Sequence, residues 1–261
     1  MSNHMSSIGF EVYSQEDFER LAELVYTSGK RMITKKGIYS YLESGKGIEL
    51  WLQMNKRNEI IGLNPHYSGL SRIRVGLTNE LMNDSNSILD GTFHAWADPA
   101  DETVESGSYP FVFDMPNRAN FGDIQVPQIL NIQLTAFAHE LSVYDDEDHY
   151  LESQESEMKF ASESFIPSGL FGNEETPSAT AIFSGKVIDT SVVTNEHTGA
   201  TFYWALVKTL GGEIDVVADK GLLRKEMIPG GIISGSFWLS AKFLDNPLTK
   251  KKSLLQGLLG R

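Results

Sequence analysis

The spacing of apolar positions changes character several times along the chain. In SQEDFERLAELVYTSG, Phe18, Leu21, Leu24 and Val25 recur at helical intervals. Ser14 with Asp17 three residues on forms a capping-box-like start, Asp standing in for the usual Glu or Gln, and Gly29 supplies the stop. Before this helix, Ile8 to Tyr13 reads as a short strand. After it, GIYSYLES and GIELWLQM alternate around Gly45 and Lys46, which predicts a hairpin. NEIIGLN and SRIRVGLT are two further strand candidates, so residues 8 to about 78 predict a strand, one helix and three or four strands.

A polar break, NDSNS, precedes DGTFHAWADP and SYPFVFDMP, both strand-like. In PQILNIQLTAFAHEL, Leu130, Ile132, Leu134, Ala136 and Ala138 occupy one face. Asn131, Gln133, Thr135 and His139 occupy the other, with Phe137 as the exception. That alternation, begun by Pro127, favours one long antiparallel strand over a helix. YDDEDHYLESQESE reads as an acidic loop or hairpin tip, and EMKFASESF as another strand. The Pro-, Gly- and Ser-rich IPSGLFGNEETPSA reads as a linker, which puts a domain boundary near Glu174. No internal repeat emerges.

Beyond the linker, a strand from Ala181 to Val193 bends around Gly185, and TNEHTG makes a turn. ATFYWALVKTL, EIDVVAD and IISGSFWLSAKFL are three more strands, the last reached through KGLLRKEMIPGG and its single helical turn. TKKKSLLQGLLGR reads as a short amphipathic helix or a frayed tail. Over roughly Thr180 to Leu244, the series FSGKVID, TGATFYWALVKT, GEIDVVA, a long connection and PGGIISGSFWLSAKF resembles an OB-fold barrel. It departs from that pattern in showing four strands where an OB barrel has five. The resemblance implies a ligand face on the second and third strands, where Phe202, Tyr203, Trp204 and Lys208 are the binding candidates. Core filling of a small barrel by the same aromatics is the stronger competing reading.

Charge sharpens the division. The chain has 261 residues and a net charge of −13. From Thr176 on, ten basic and seven acidic residues give +3, leaving −16 on the remainder. The first part should repel nucleic acid and attract cationic partners. The acidic cluster Asp145, Asp146 and Asp148 is the candidate contact for a basic protein, and Lys250 to Lys252 read as a solvated terminus. With no cysteine, disulfides, thiolate zinc sites, Cys-ligated iron–sulfur clusters and a cysteine nucleophile are excluded. No apolar run approaches the ~20 residues of a bilayer span, and no signal peptide is recognisable, so the expectation is a cytoplasmic protein with no membrane partner.

Catalytic motifs are scarce. His139–Glu140 lacks the second His of a zinc-protease helix, the acidic loop lacks EF-hand spacing, and no phosphate loop or nucleophile elbow occurs. SGKGIELW, with Glu49, resembles the last metal-ligand strand of the glyoxalase and extradiol dioxygenase superfamily. That resemblance implies paired βαβββ modules, and a metal site would need His66, His94 or His139 to converge with Glu49 or Glu140. The second module would require its own helix, which residues 85 to 165 do not show.

The expected architecture is α+β and mostly antiparallel. It comprises an acidic domain over 1–172 with one clear helix, an OB-like β-barrel over 176–247, and a tail over 248–261. The expected function is non-enzymatic recognition of another, basic protein, of inhibitor or immunity type, with no cofactor and no metal. A nucleic-acid-associated protein using the OB-like barrel and a glyoxalase-like metal enzyme are the alternatives.

Overall fold

The computed structural model describes residues 4–81, 87–156, 159–171 and 176–249. Glu174, Glu157 and the Lys250–Lys252 run lie outside the described residues. The described residues are mostly β, with two α-helices among them, α1 (Gln15–Ser28) and α2 (Glu147–Glu152). The strands are β1 (Lys30–Ile33), β2 (Ile38–Ser44), β3 (Ile48–Met54), β4 (Ile60–Tyr67), β5 (Ile73–Leu81), β6 (Gly91–Ala97) and β7 (Tyr109–Met115). They continue with β8 (Gln128–Tyr144), β9 (Ser164–Ile166), β10 (Thr180–Thr194), β11 (Thr201–Thr209), β12 (Gly212–Asp219) and β13 (Ile232–Phe243).

The helix start follows the sequence. The Ser14 side chain accepts from the Asp17 amide and the Asp17 carboxylate accepts from the Ser14 amide, so both halves of the capping box form. Such a cap stabilises a helix by about 1 kcal/mol. Leu21, Ala22 and Val25 are its buried face. Two local expectations are corrected. Ile8 to Tyr13 is no strand: a 3-10 turn at Ser6–Ile8, with Met5 and Ile8 buried, leads into irregular chain whose Phe10 is buried. Just past the Gly29 stop, Lys30 and Arg31 begin strand β1. The acidic loop contains α2, capped by the Asp146 side chain.

Strands β1 to β4 form a four-stranded antiparallel meander in chain order. The other nine strands form one sheet that folds back on itself. Its pairings trace two closed circuits of five. The first runs β5–β6–β7–β13–β8 and back to β5; the second runs β10–β11–β12–β8–β13 and back to β10. Each closes through one parallel pair, β7 with β13 or β12 with β8. In each, the first strand slips register against the second, at Leu77/Asn79 in β5 and at Val187/Asp189 in β10. Strands β8 and β13 belong to both circuits, and all of β13 pairs with β8 from Ile132 to Tyr144.

β8, from before the linker, lies parallel to β12 in the second circuit. The boundary expected near Glu174 therefore falls between strands of one sheet. A single apolar cluster lines both circuits. It contains Leu130, Ile132, Leu134, Ala136 and Ala138 of β8, the face read from alternation, with Phe93, Phe113, Val216 and Phe237 from other strands. A second cluster lies between the meander and the outer side of β8, β11 and β12. It joins Ile8, Phe10, Leu21, Val25 and Leu50 to Phe137, Phe202, Trp204 and Val217.

Candidate functional site

The predicted aromatic site lies on this second seam. Phe202 is fully buried. Trp204 is buried, its indole N–H donating to Asp215 Oδ1 at 2.8 Å. Alternation puts Tyr203 on the opposite side of β11, half-buried, with the Lys220 ammonium 5.9 Å from its ring centre. Lys208 is exposed and paired with Glu163 at 3.2 Å. Of the three rings, Tyr203 alone stands at the surface beside a cation.

In the acidic segment, Asp145 pairs with Lys225 and lies 3.5 Å from His149. The Lys225 ammonium holds the Asp145 carboxyl below the usual range. Asp146 accepts the His149 amide as the cap of α2. Asp148 is exposed, as are Glu147, Glu152 and Glu155. Asp145 and Asp146 are thus already engaged within the chain, which sequence pattern does not show.

The densest polar chemistry lies under the meander. Glu49 of β3 and His66 of β4 are cross-strand partners and meet the shared strands β8 and β13. Glu49 Oε1 accepts from Lys242 Nζ and from the Ser68 hydroxyl, both at 2.6 Å, and Oε2 accepts from the Trp51 indole at 3.0 Å. Burial would push this carboxyl up, but nearby positive charge, His66 when protonated and the Lys242 ammonium, brings it below the usual range. His66 itself is pushed down to about 4 by burial, so Lys242 is the cation beside Glu49 at neutral pH.

Gln133 fixes the His66 tautomer. Its Nε2 donates to Thr135 Oγ1 at 2.8 Å and Asp215 Oδ2 at 2.7 Å, leaving Oε1 to accept from His66 Nε2 at 2.7 Å. His66 Nδ1 then accepts from the Ser240 hydroxyl at 2.9 Å. Ser240 and His66 have the contact of a nucleophile with its base. Both are fully buried, however, and the second imidazole nitrogen is held by an amide, so the pair has no approach for a reacting carbonyl. Asp215, also fully buried, accepts four hydrogen bonds, from the Leu70 and Ser71 amides, Gln133 and Trp204. This seam joins the meander to the shared strands.

The remaining histidines do not converge on it. His94 contacts Thr78 Oγ1 at 2.6 Å, and His139 contacts His4, whose ring stacks on Trp238. Among the described residues, no three His, Asp or Glu side chains are grouped to hold a metal ion. No helix among them is long and apolar enough to cross a membrane.

Among the described residues, two grooves larger than 400 Å³ open at the surface. One, of about 520 Å³, runs between α1 and the start of β4. Phe18, Ala22, Tyr26 and Ile60 form its apolar lining, with Glu19 and Glu23 from α1 also lining it. The other, of about 430 Å³, lies between the β1–β2 turn and residues 118–123. Neither was signalled as a groove by sequence pattern, because each is made by elements that meet only in the fold. No family model, curated protein or solved structure matches the chain.

Proposed function

We propose that the protein is a non-enzymatic binding protein that recognises a basic protein partner. The α1–β4 groove carries this reading: an apolar lining next to the carboxylates of Glu19 and Glu23 suits a segment that mixes apolar and cationic side chains. The exposed carboxylates of α2 extend the same charge preference to a second face. The polar seam supports it too, since its donors and acceptors hold elements together in a fully buried setting.

The test is capture from native lysate with tagged protein, with and without nuclease. A stoichiometric basic protein that survives nuclease is expected. Its recovery should fall with Glu19→Gln/Glu23→Gln, and to a smaller extent with Asp145→Asn/Asp146→Asn/Asp148→Asn. Asn still caps α2, so folding should be kept. Capture of only nuclease-sensitive material would overturn the proposal.

A second reading rests on the strand circuits. We read each as an OB-like barrel, the two sharing β8 and β13, because order, parallel closure and a bulged first strand agree with that architecture. A nucleic-acid role through the second barrel would have to use Tyr203 with Lys220, since the meander side covers Phe202 and Trp204. Stacking on one ring is worth about 1–3 kcal/mol per base. Loss of oligonucleotide binding in Tyr203→Ala would favour this reading over the first.

A further inference from the structure

The acidic average conceals a basic region. Residues 30–57 hold seven Lys and Arg against two Glu, +5, while the remaining 15 basic and 33 acidic residues give −18. The meander register brings most of these cations together. Ile33 lies opposite Ile38, Ile38 opposite Met54, and Met54 opposite Ile60. The β1–β2 and β3–β4 turns are therefore at the same end of the sheet, and Lys35, Lys36, Lys56 and Arg57 are all exposed there. Arg31 joins them, donating to Asn58 Oδ1 at 2.6 Å. None of these five takes part in an ion pair among the described residues. By contrast, Arg20, Arg74, Arg118, Lys208, Lys225 and Lys242 each have a carboxylate partner.

This basic end borders an open sheet edge. Among the described residues, β1 has β2 as its sole strand neighbour. The Thr34 amide donates to Gly37 O, which fixes the alternation of the antiparallel ladder. Lys30 and Met32 then turn their backbone groups toward β2, and Arg31 and Ile33 turn theirs outward. Ile33 is 84% exposed, although it is apolar and lies in a strand. Beside it is the 430 Å³ groove, with Lys35, Lys36 and Phe121 among its lining residues and Asp123 as its carboxylate. Arg118 also lines it, but its guanidinium is committed to Glu80.

We propose that β1 is a docking edge for an extended acidic segment of a partner protein, which adds as a strand beside Arg31 and Ile33. The backbone groups of Arg31 and Ile33 would pair with the incoming strand, and Arg31, Lys35 and Lys36 would meet its carboxylates. Cationic edges also discourage pairing between copies, because two such edges repel. The same repulsion selects an acidic strand. A nucleic acid offers charge but no backbone ladder to pair with Arg31 and Ile33.

This surface is distinct from the groove proposed for a basic partner, and the test separates them. A labelled peptide alternating Glu and Val, one alternating Lys and Val, and an oligothymidylate are titrated with full-length protein by fluorescence anisotropy. The Glu peptide is expected to bind, more weakly as salt rises. Lys35→Glu/Lys36→Glu should weaken it about tenfold or more. Ile33→Pro removes an outward N–H without touching the β1–β2 ladder. It should weaken binding similarly while leaving the circular dichroism and melting temperature unchanged. Glu19→Gln/Glu23→Gln should leave this binding unchanged, whatever becomes of the basic partner.

Wild-type affinity in a folded Ile33→Pro variant would overturn strand addition. Preference for the oligothymidylate or the Lys peptide would overturn the acidic partner, as would absence of Glu-peptide binding. Sedimentation that shows self-association lost in Lys35→Glu/Lys36→Glu would replace the partner with a second copy of the chain, and so overturn the proposal.

Discussion

The two strand circuits share their order, their parallel closure and two of their strands, yet an aspartate at the closing pair meets different surroundings in each. Asp215 pairs across with Thr135 in the second circuit, and Asp114 with Ser240 in the first. Thr135 and Ser240 are themselves opposite each other, so the four residues form one row over β12, β8, β13 and β7. Asp215 lies beneath the chain that leaves β4 and receives four donors, two of them backbone amides of that chain. Asp114 receives two, from Thr92 and from Trp238, and borders a cavity of about 50 Å³ shared with Asp90. Burial pushes the Asp114 carboxyl up, and pushes Asp90 up to about 6 with Asp114 adding to the effect. The same topological position thus has different chemistry according to what packs over it.

The sharpest way to break this comparison is to remove each carboxylate. Asp215→Ala takes the acceptor from four donors, three of them buried, and should cost roughly 4 kcal/mol or more, measured by urea unfolding. Asp114→Ala should cost about 1–2 kcal/mol, because two donors are released and a carboxylate disfavoured by burial is lost. Equal losses would mean that the chain crossing over Asp215 contributes nothing to the difference.

A smaller effect tests how the meander is held to the shared strands. Glu49→Gln alone leaves the Lys242 ammonium half-buried without its carboxylate and should cost about 3 kcal/mol. Lys242→Met in the same protein should recover part of that loss, and the double-mutant cycle measures the coupling. Full additivity would show that the two residues act independently.

Acidity distinguishes the two sides by sign. His66 has a folded value depressed to about 4, so the stability linked to it is present above the ordinary histidine range and is lost as pH falls from about 6.5 toward 4. Asp90 has a folded value raised to about 6, so the fold binds protons more tightly there than the unfolded chain, and stability rises as pH falls through 6. The two contributions oppose each other between pH 7 and 5. Asp90→Asn should therefore steepen the loss of stability over that interval, and His66→Gln should flatten it, in unfolding curves at both pH values. Parallel slopes in both variants would show that neither group carries the linkage.

The sequence makes the individual strands legible, and the core face of β8 with them, because alternation is local. Leu130 to Ala138 need only their own neighbours to be read as one buried side. Pairing between distant segments leaves no such trace. Nothing in QLTAFAHE marks it as the parallel partner of EIDVVAD, so the fifth strand of the second circuit is missing from a local reading. Period two also puts Phe202 and Trp204 on one side of β11 without saying what covers it. The cover comes from Met5 to Phe10 together with α1 and meander residues such as Leu50 and Tyr67, and Ile8, read as the start of a strand, ends a 3-10 turn. Asp215 reads as an outward polar position in a strand, yet its position between apolar neighbours was the available signal of a buried acceptor.

The smallest expected effects lie at exposed ion pairs on the two circuits. Lys208 of β11 pairs with Glu163 just before β9, and Arg74 of β5 lies 3.8 Å from Asp98 and 4.0 Å from Glu102. Water screens both sites, so Lys208→Ala should change stability by less than about 0.5 kcal/mol. Arg74→Ala should do slightly more, because the Arg74 guanidinium also donates to Pro99 O at 3.0 Å. These variants sharpen the comparison by controlling for charge alone: if the buried aspartates differ because of what covers them, uncovered pairs on the two circuits should be nearly alike. A loss above about 1 kcal/mol for Lys208→Ala would instead mean that Glu163 helps hold the short strand β9 by linking it to β11, since β9 has just three residues paired with β10.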